Sequence, residues 1–116
     1  MSKAPHSGWI GCDLDGTLAV GSHSYDPFNI GAPIPAMVRR IQNIIQDGYE
    51  VRIFTARVCS MELEREAVRK LIEDWTELHI GMRLKVTNEK DYQMIEFYDD
   101  RAITVERNTG KLLIGF

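Results

Sequence analysis

Four aspartates fall in two pairs along the chain, Asp13 with Asp15 and Asp99 with Asp100. A short apolar run, Trp9 to Cys12, precedes the first pair, and another, Ile95 to Tyr98, precedes the second. Thr55 and Arg57 follow a third run, Tyr49 to Phe54. If the three runs are parallel strands of one sheet, all these polar groups leave at one edge, where open α/β sheets bind ligands. Carboxylates gathered there repel, at about 4 kcal/mol for two charges roughly 4 Å apart in an effective dielectric of about 20. Such a cluster must take up protons, bind a cation or find basic partners. Magnesium answers that need, because it prefers oxygen ligands and commonly joins one or two carboxylates to a phosphate. It would also screen an anionic phosphate from an anionic nucleophile. The planar fork of Arg57 suits phosphate oxygens. Gly16 lets the chain turn out of the strand between Asp15 and Thr17, since it tolerates positive φ.

The elements that must position these groups are legible as periodic patterns. Trp9 to Cys12 reads as a buried first strand. Gly21 to Pro35, with three prolines, reads as a long loop of the kind that is functional or mobile. Met37, Val38, Ile41, Ile44 and Ile45 recur at helical spacing, with Pro35 suited to the first turn and Gly48 to the end. Tyr49 to Phe54 is the second strand. A second helix is expected from an N-cap at Ser60, with Glu62 and Glu64 at its positive end. Its apolar stripe is Leu63, Ala67, Val68, Leu71, Ile72, Trp75 and Leu78, and Gly81 ends it. Leu84 to Val86, Ile95 to Tyr98 and Ala102 to Val105 are the third, fourth and fifth strands. Asn108-Thr109-Gly110 is a turn signal that folds Leu112 to Phe116 back as a hairpin partner. Strands alternating with helices argue for a mostly parallel sheet with covered faces.

The whole chain, 116 residues, fits one domain, 1–116. It is 44% hydrophobic and 27% charged, which argues against disorder. A net charge of -3 lacks the overall positive excess of a typical nucleic-acid binder. Two cysteines, Cys12 and Cys59, are too few for a disulfide framework. Cys12 reads as a small packing residue, and His23 as a solvated loop histidine. The polar start of the chain carries no secretory signal and no run reaches a membrane span, so a cytoplasmic protein with reduced thiols is expected. The oligomeric state is open.

The segment Asp13-Leu14-Asp15-Gly16-Thr17-Leu18 resembles the first motif of the haloacid dehalogenase superfamily, whose members are mostly phosphohydrolases. Thr55 matches the second motif, Lys90 the third and Asp99-Asp100 the paired-acid form of the fourth. The run Asp99-Asp100-Arg101, with Thr55-Ala56-Arg57, also looks like the phosphatase domain of phage polynucleotide kinase. The resemblance implies a Rossmann-like α/β domain with five strands in the order 5-4-1-2-3, flanking helices and a minimal cap. It further implies that Asp13 attacks phosphorus to form an aspartyl-phosphate and that Asp15 serves as acid, then base. Thr55 would give its hydroxyl and backbone amide to phosphate oxygens, and Lys90 would neutralise charge and keep Asp13 ionised. The magnesium ion would lie on Asp13, the Asp15 carbonyl and Asp100, with Asp99 orienting Lys90 or a metal-bound water. Lys85 competes with Lys90 for its role.

Three functions follow from this reading. One is a phosphomonoesterase on a small metabolite or nucleotide. Another is a phosphatase on nucleic-acid ends, with arginines including Arg57 and Arg101 lining a groove. The third is a non-catalytic interaction module on the same fold, against which the retention of Asp13 and Asp15 argues.

Overall fold

The computed structural model describes residues 7–22, 26–59 and 62–113. Ser60, His23 and the last three residues of the expected hairpin partner lie outside them. Strand β1 (Trp9–Cys12) leads through helix α1 (Pro35–Gln46) to β2 (Glu50–Phe54). A single 3-10 turn, Ala56–Cys59, then precedes helix α2 (Glu62–Ile80), followed by β3 (Lys85–Thr87) and β4 (Met94–Tyr98). Two further short strands, β5 (Thr104–Val105) and β6 (Leu112–Leu113), close the order.

The main sheet is parallel, with four strands in the order β3-β2-β1-β4, a Rossmann-like α/β arrangement. The expected order of five strands is corrected here. β5 does not extend the sheet beyond β4; it pairs antiparallel with β6 as a separate ribbon. Val105 and Leu112 face each other in that ribbon, and both are exposed. A strand of two residues offers too few ladder bonds and too little apolar surface to fix it to the edge of β4.

α1 forms where the spacing places it. Pro35 occupies the first turn, where its missing N–H costs nothing. Ile41 is fully buried, which stabilises the fold by about 1.5–3 kcal/mol. Met37, Val38, Ile44 and Ile45 pack partly buried against the core. Gly48, at φ +97°, turns the chain after the helix into β2.

In α2 the stripe is narrower than the sequence pattern. Val68, Ile72, Trp75, Thr76 and Ile80 are buried, while Leu63 is 90% and Leu78 77% exposed. Those two leucines sit off the arc that faces the core, so their apolarity does not report burial.

The two helical crossovers, β1 to β2 and β2 to β3, step the same way along the sheet, so right-handed connections place both helices on one face. α1 and α2 accordingly touch each other. Ile10, Cys12, Val51, Ile53 and Val86 share one core cluster with Ile41, Val68 and Ile72. Alternating strand residues face the other way. There Arg52 lies 4.6 Å over the Trp9 ring, and Phe54 meets Phe97 edge-on at 5.0 Å. Trp9 is fully buried on this face and donates to Asp91 through its indole at 2.8 Å. Gly11 admits this packing: a Cβ there would stand 2.5 Å from the Met94 methyl. No helix of the described residues is long and apolar enough to cross a membrane.

Candidate functional site

Register brings the acids together. Cys12 pairs with Ile53 on one side and Tyr98 on the other, so Asp13 and Asp99 leave the sheet at the same level. The Asp13 amide donates to the Tyr98 carbonyl at 2.9 Å, extending the ladder one step into the site. Asp13, Asp99 and Asp100 then each offer a carboxylate oxygen within 4.8 Å of the others. This is an all-oxygen donor set of the kind that hard divalent cations prefer.

The turn after β1 carries this geometry. The amides of Leu18 and Ala19 both donate to the Leu14 carbonyl, and Gly16 donates to the Ala19 carbonyl at 2.8 Å. Leu14, Leu18 and Ala19 are fully buried and anchor the turn from below. Gly16 adopts φ +87°, as the sequence implied. A Cβ at Gly16 would stand 2.6 Å from Asp100 Oδ2, so close approach of the second acid pair also requires glycine.

Thr17 is the site residue to which sequence reasoning gave no role. Its buried hydroxyl lies 3.3 Å from Asp13 Oδ2 and 3.2 Å from Asp100 Oδ1, and accepts the Asp100 amide at 3.0 Å. One hydroxyl proton serves both carboxylates in alternation. Its place four residues after Asp13, on a turn that reverses the chain, was the available signal.

Burial, a hydrogen bond that the Asp13 carboxyl donates to Asp100 and the charges of Asp99 and Asp100 push Asp13 up to about 7, against a small opposing effect of Thr17. Asp100 moves the other way: burial acts to raise it, but hydrogen bonds from Asp13 and Thr17 prevail and hold it below the usual carboxylate range. The two therefore share a proton that rests on the more enclosed Asp13. Burial also pushes the Cys12 thiol up to about 12, with help from Asp13 and Asp99. That thiol donates to the Asp13 carbonyl at 3.4 Å and is a packing group, as expected.

Asp15 and Arg57 are not in this cluster. The Asp15 carboxylate takes a two-pronged ion pair, from Arg57 Nε to Oδ2 and Arg57 Nη2 to Oδ1, both at 2.7 Å. The remaining Arg57 donors go to the carbonyls of Asp26 at 3.0 Å, Pro27 at 3.1 Å and Asn29 at 3.1 Å. Among the described residues each guanidinium nitrogen of Arg57 donates to at least one of these oxygens. Thr55 is buried at the end of β2, and its amide donates to the Thr87 carbonyl at 2.9 Å. That amide is therefore committed to the sheet. Its hydroxyl accepts the Arg57 amide at 3.1 Å and keeps its own proton to donate.

Lys90 is exposed in the connection from β3 to β4 and forms no hydrogen bond or ion pair among the described residues. Lys85 is exposed at the start of the edge strand β3, beside Arg52, and its charge acts on Asp91. A cleft of about 330 Å³ opens between Phe28, Asn29 and Ile30 and the α2 residues Leu71, Trp75 and Leu78; none of the acids of the cluster lines it.

No protein-family model and no curated protein matches this chain. A solved structure does: a conserved protein from Bacteroides thetaiotaomicron, at a TM-score of 0.57 and 21% identity, over 84% of this chain and 78% of that one. At this identity the likeness speaks for the fold alone.

Proposed function

We propose that the chain is a magnesium-dependent phosphomonoester hydrolase of the haloacid dehalogenase type, with Asp13 as nucleophile. The observation that carries this reading is the convergence of Asp13, Asp99 and Asp100 on one small volume at the carboxyl ends of β1 and β4. Three acids held this close, with the proton pushed onto Asp13, form a site that gains from a cation, and the cation in turn lets an anionic ligand approach.

Magnesium at these oxygens would draw the shared proton off Asp13 and offset the charge of a phosphate. Asp13 and Asp100 would hold it, with Asp99 alongside; the Asp99 Oδ1 already accepts the Arg101 amide at 3.1 Å. In the first step an Asp13 oxygen attacks phosphorus. The bond from phosphorus to the leaving oxygen breaks, and Asp15 gives that oxygen a proton. In the second step Asp15 takes a proton from water, the water oxygen attacks phosphorus, and the bond to Asp13 breaks. The Arg57 fork meets both Asp15 oxygens, so the proton that Asp15 passes on in the first step comes from the monoanionic phosphate ester, and the one it takes from water leaves with the product phosphate. The Thr55 hydroxyl donates to the phosphate.

The test is one panel: p-nitrophenyl phosphate, nucleotides and oligonucleotides phosphorylated at either end, with and without magnesium. Turnover that requires magnesium and vanishes in Asp13→Asn is expected. Absence of turnover throughout, or an active Asp13→Asn protein, sinks the reading.

A further inference from the structure

We propose that Arg57 is a positioning residue that couples the 26–29 loop to the carboxylate of Asp15. The guanidinium is only 6% exposed, and among the described residues its hydrogen bonds divide between two parts of the chain. Two go to Asp15, on the turn after β1; three go to the carbonyls of Asp26, Pro27 and Asn29. A buried guanidinium left short of partners is strongly disfavoured, so the loop and Asp15 share one strong constraint. Displacing the loop strips three acceptors from Arg57. The fork must then turn, and it carries the Asp15 carboxylate with it.

Arg57 is itself fixed from behind. Its amide donates to the Thr55 hydroxyl, and it lies on the 3-10 turn that follows β2. The backbone of Arg57 therefore stays with the sheet, and the guanidinium is the moving part. The loop has independent ties to the core through the Ile34 amide on the Leu18 carbonyl at 2.8 Å and the Trp75 indole on the Gly31 carbonyl at 3.3 Å. Those ties lie beyond residue 29, so the segment that Arg57 grips can shift without unfolding the rest. A ligand that presses on residues 26–29 would thereby reset the group assigned to proton transfer. This last consequence rests on the phosphatase reading; the coupling does not.

Two measurements on the full chain decide it. The first is hydrogen exchange at the Phe28 and Asn29 amides, which bond to Asp26 Oδ1 and the Asp26 carbonyl. Asp15→Asn and Arg57→Lys should each speed their exchange roughly tenfold, while α1 amides keep their wild-type rates as a control for global stability. The double variant should be no faster than the single ones. Wild-type loop exchange in Asp15→Asn, or effects that multiply in the double variant, would overturn the coupling. The second is turnover of p-nitrophenyl phosphate against glycerol phosphate, whose leaving oxygen needs a proton far more. Arg57→Lys should lower kcat for glycerol phosphate about tenfold more than for the aryl ester. Equal losses would show a merely structural residue and defeat the catalytic consequence. A wild-type protein inert toward every ester strikes the phosphatase reading, and the exchange measurement still decides the coupling.

Discussion

Asp13 and Asp15 stand two positions apart in one turn and meet opposite electrostatic surroundings. Asp13 faces two other acids and a hydroxyl, and its proton is held at about 7 by burial and by those acids. Asp15 faces a buried arginine that meets both of its oxygens. One side of the turn is left with unbalanced negative charge, the other with a closed ion pair. The difference teaches that proximity in sequence does not make these carboxylates equivalent. The acid cluster stores unfavourable charge that a cation would relieve, while the Asp15–Arg57 pair stores geometry. Perturbing the first side should change chemistry and metal response, and perturbing the second should change orientation and loop dynamics.

The largest effect expected on the cluster side is loss of turnover in Asp13→Asn. If Asp13 is the nucleophile proposed above, an amide cannot replace it, and the magnesium-dependent rate expected on that reading should fall at least about a thousandfold, with the fold intact by circular dichroism. Next comes Gly16→Ala. Its Cβ meets Asp100 Oδ2 at 2.6 Å and must hold φ at +87°, which an L side chain resists. A loss of about 2–4 kcal/mol in denaturant unfolding is expected, and the magnesium midpoint should rise with it. An unfolding midpoint equal to wild type would show that the turn relaxes freely. That would weaken the claim that the two acid pairs are held against each other.

Thr17→Val should act more gently. It removes the hydroxyl shared by Asp13 and Asp100 and leaves the Asp100 amide without its acceptor. A cost of about 1–2 kcal/mol in stability is expected, and a magnesium affinity weaker by roughly tenfold. Unchanged affinity with lowered stability would confine Thr17 to supporting the turn.

How much of this was legible before the fold was known differs between the same two regions. The strands that carry Asp13 and Asp99 are apolar runs bounded by acids, and their parallel pairing places both at one edge. The acid cluster therefore followed from pattern plus one rule of sheet topology. The Asp15–Arg57 pair did not, because its partners lie 42 positions apart and Arg57 sits on a four-residue turn with no periodic signature. An arginine after a strand end fits a substrate oxygen or an internal carboxylate equally well, and only the path of the 26–29 loop decides between them. The ribbon at the chain end follows the same logic. Asn108, at φ +68°, and Gly110, at φ +80°, make the turn that the local sequence signals. Whether such a ribbon joins the sheet depends on long-range packing, which a two-residue strand does not encode. Leu63 and Leu78 misled for a related reason: apolar identity reports burial only on the arc of α2 that meets the core.

The smallest expected effect is a pH dependence of stability without magnesium, and it separates the two environments most directly. The Asp13 carboxyl rises from an ordinary 3.8 to about 7 in the folded chain, with burial the largest cause and the nearby acids next. Between these values the folded state binds more protons than the unfolded state, so stability must fall as pH rises. The contribution is fully present below about pH 4 and is lost by about pH 7. Such a rise corresponds to about 4 kcal/mol at full linkage, and partial exposure of the carboxyl reduces the measurable part to about 1–2 kcal/mol. Asp100 runs the other way, with its pKa lowered mainly by Asp13 and Thr17 against the effect of burial. Its contribution is present above the ordinary carboxylate range and fails only as pH drops below it, so the two windows do not overlap. Asp13→Asn should abolish the decline between pH 4 and 7 and leave the protein more stable than wild type at pH 7 without metal, since no proton is then needed to relieve the cluster. Urea unfolding at pH 5 and pH 7, in wild type and Asp13→Asn, measures both points. A wild-type stability that is flat across this range would show that the acids do not crowd Asp13, and the contrast with Asp15 would then lose its electrostatic basis.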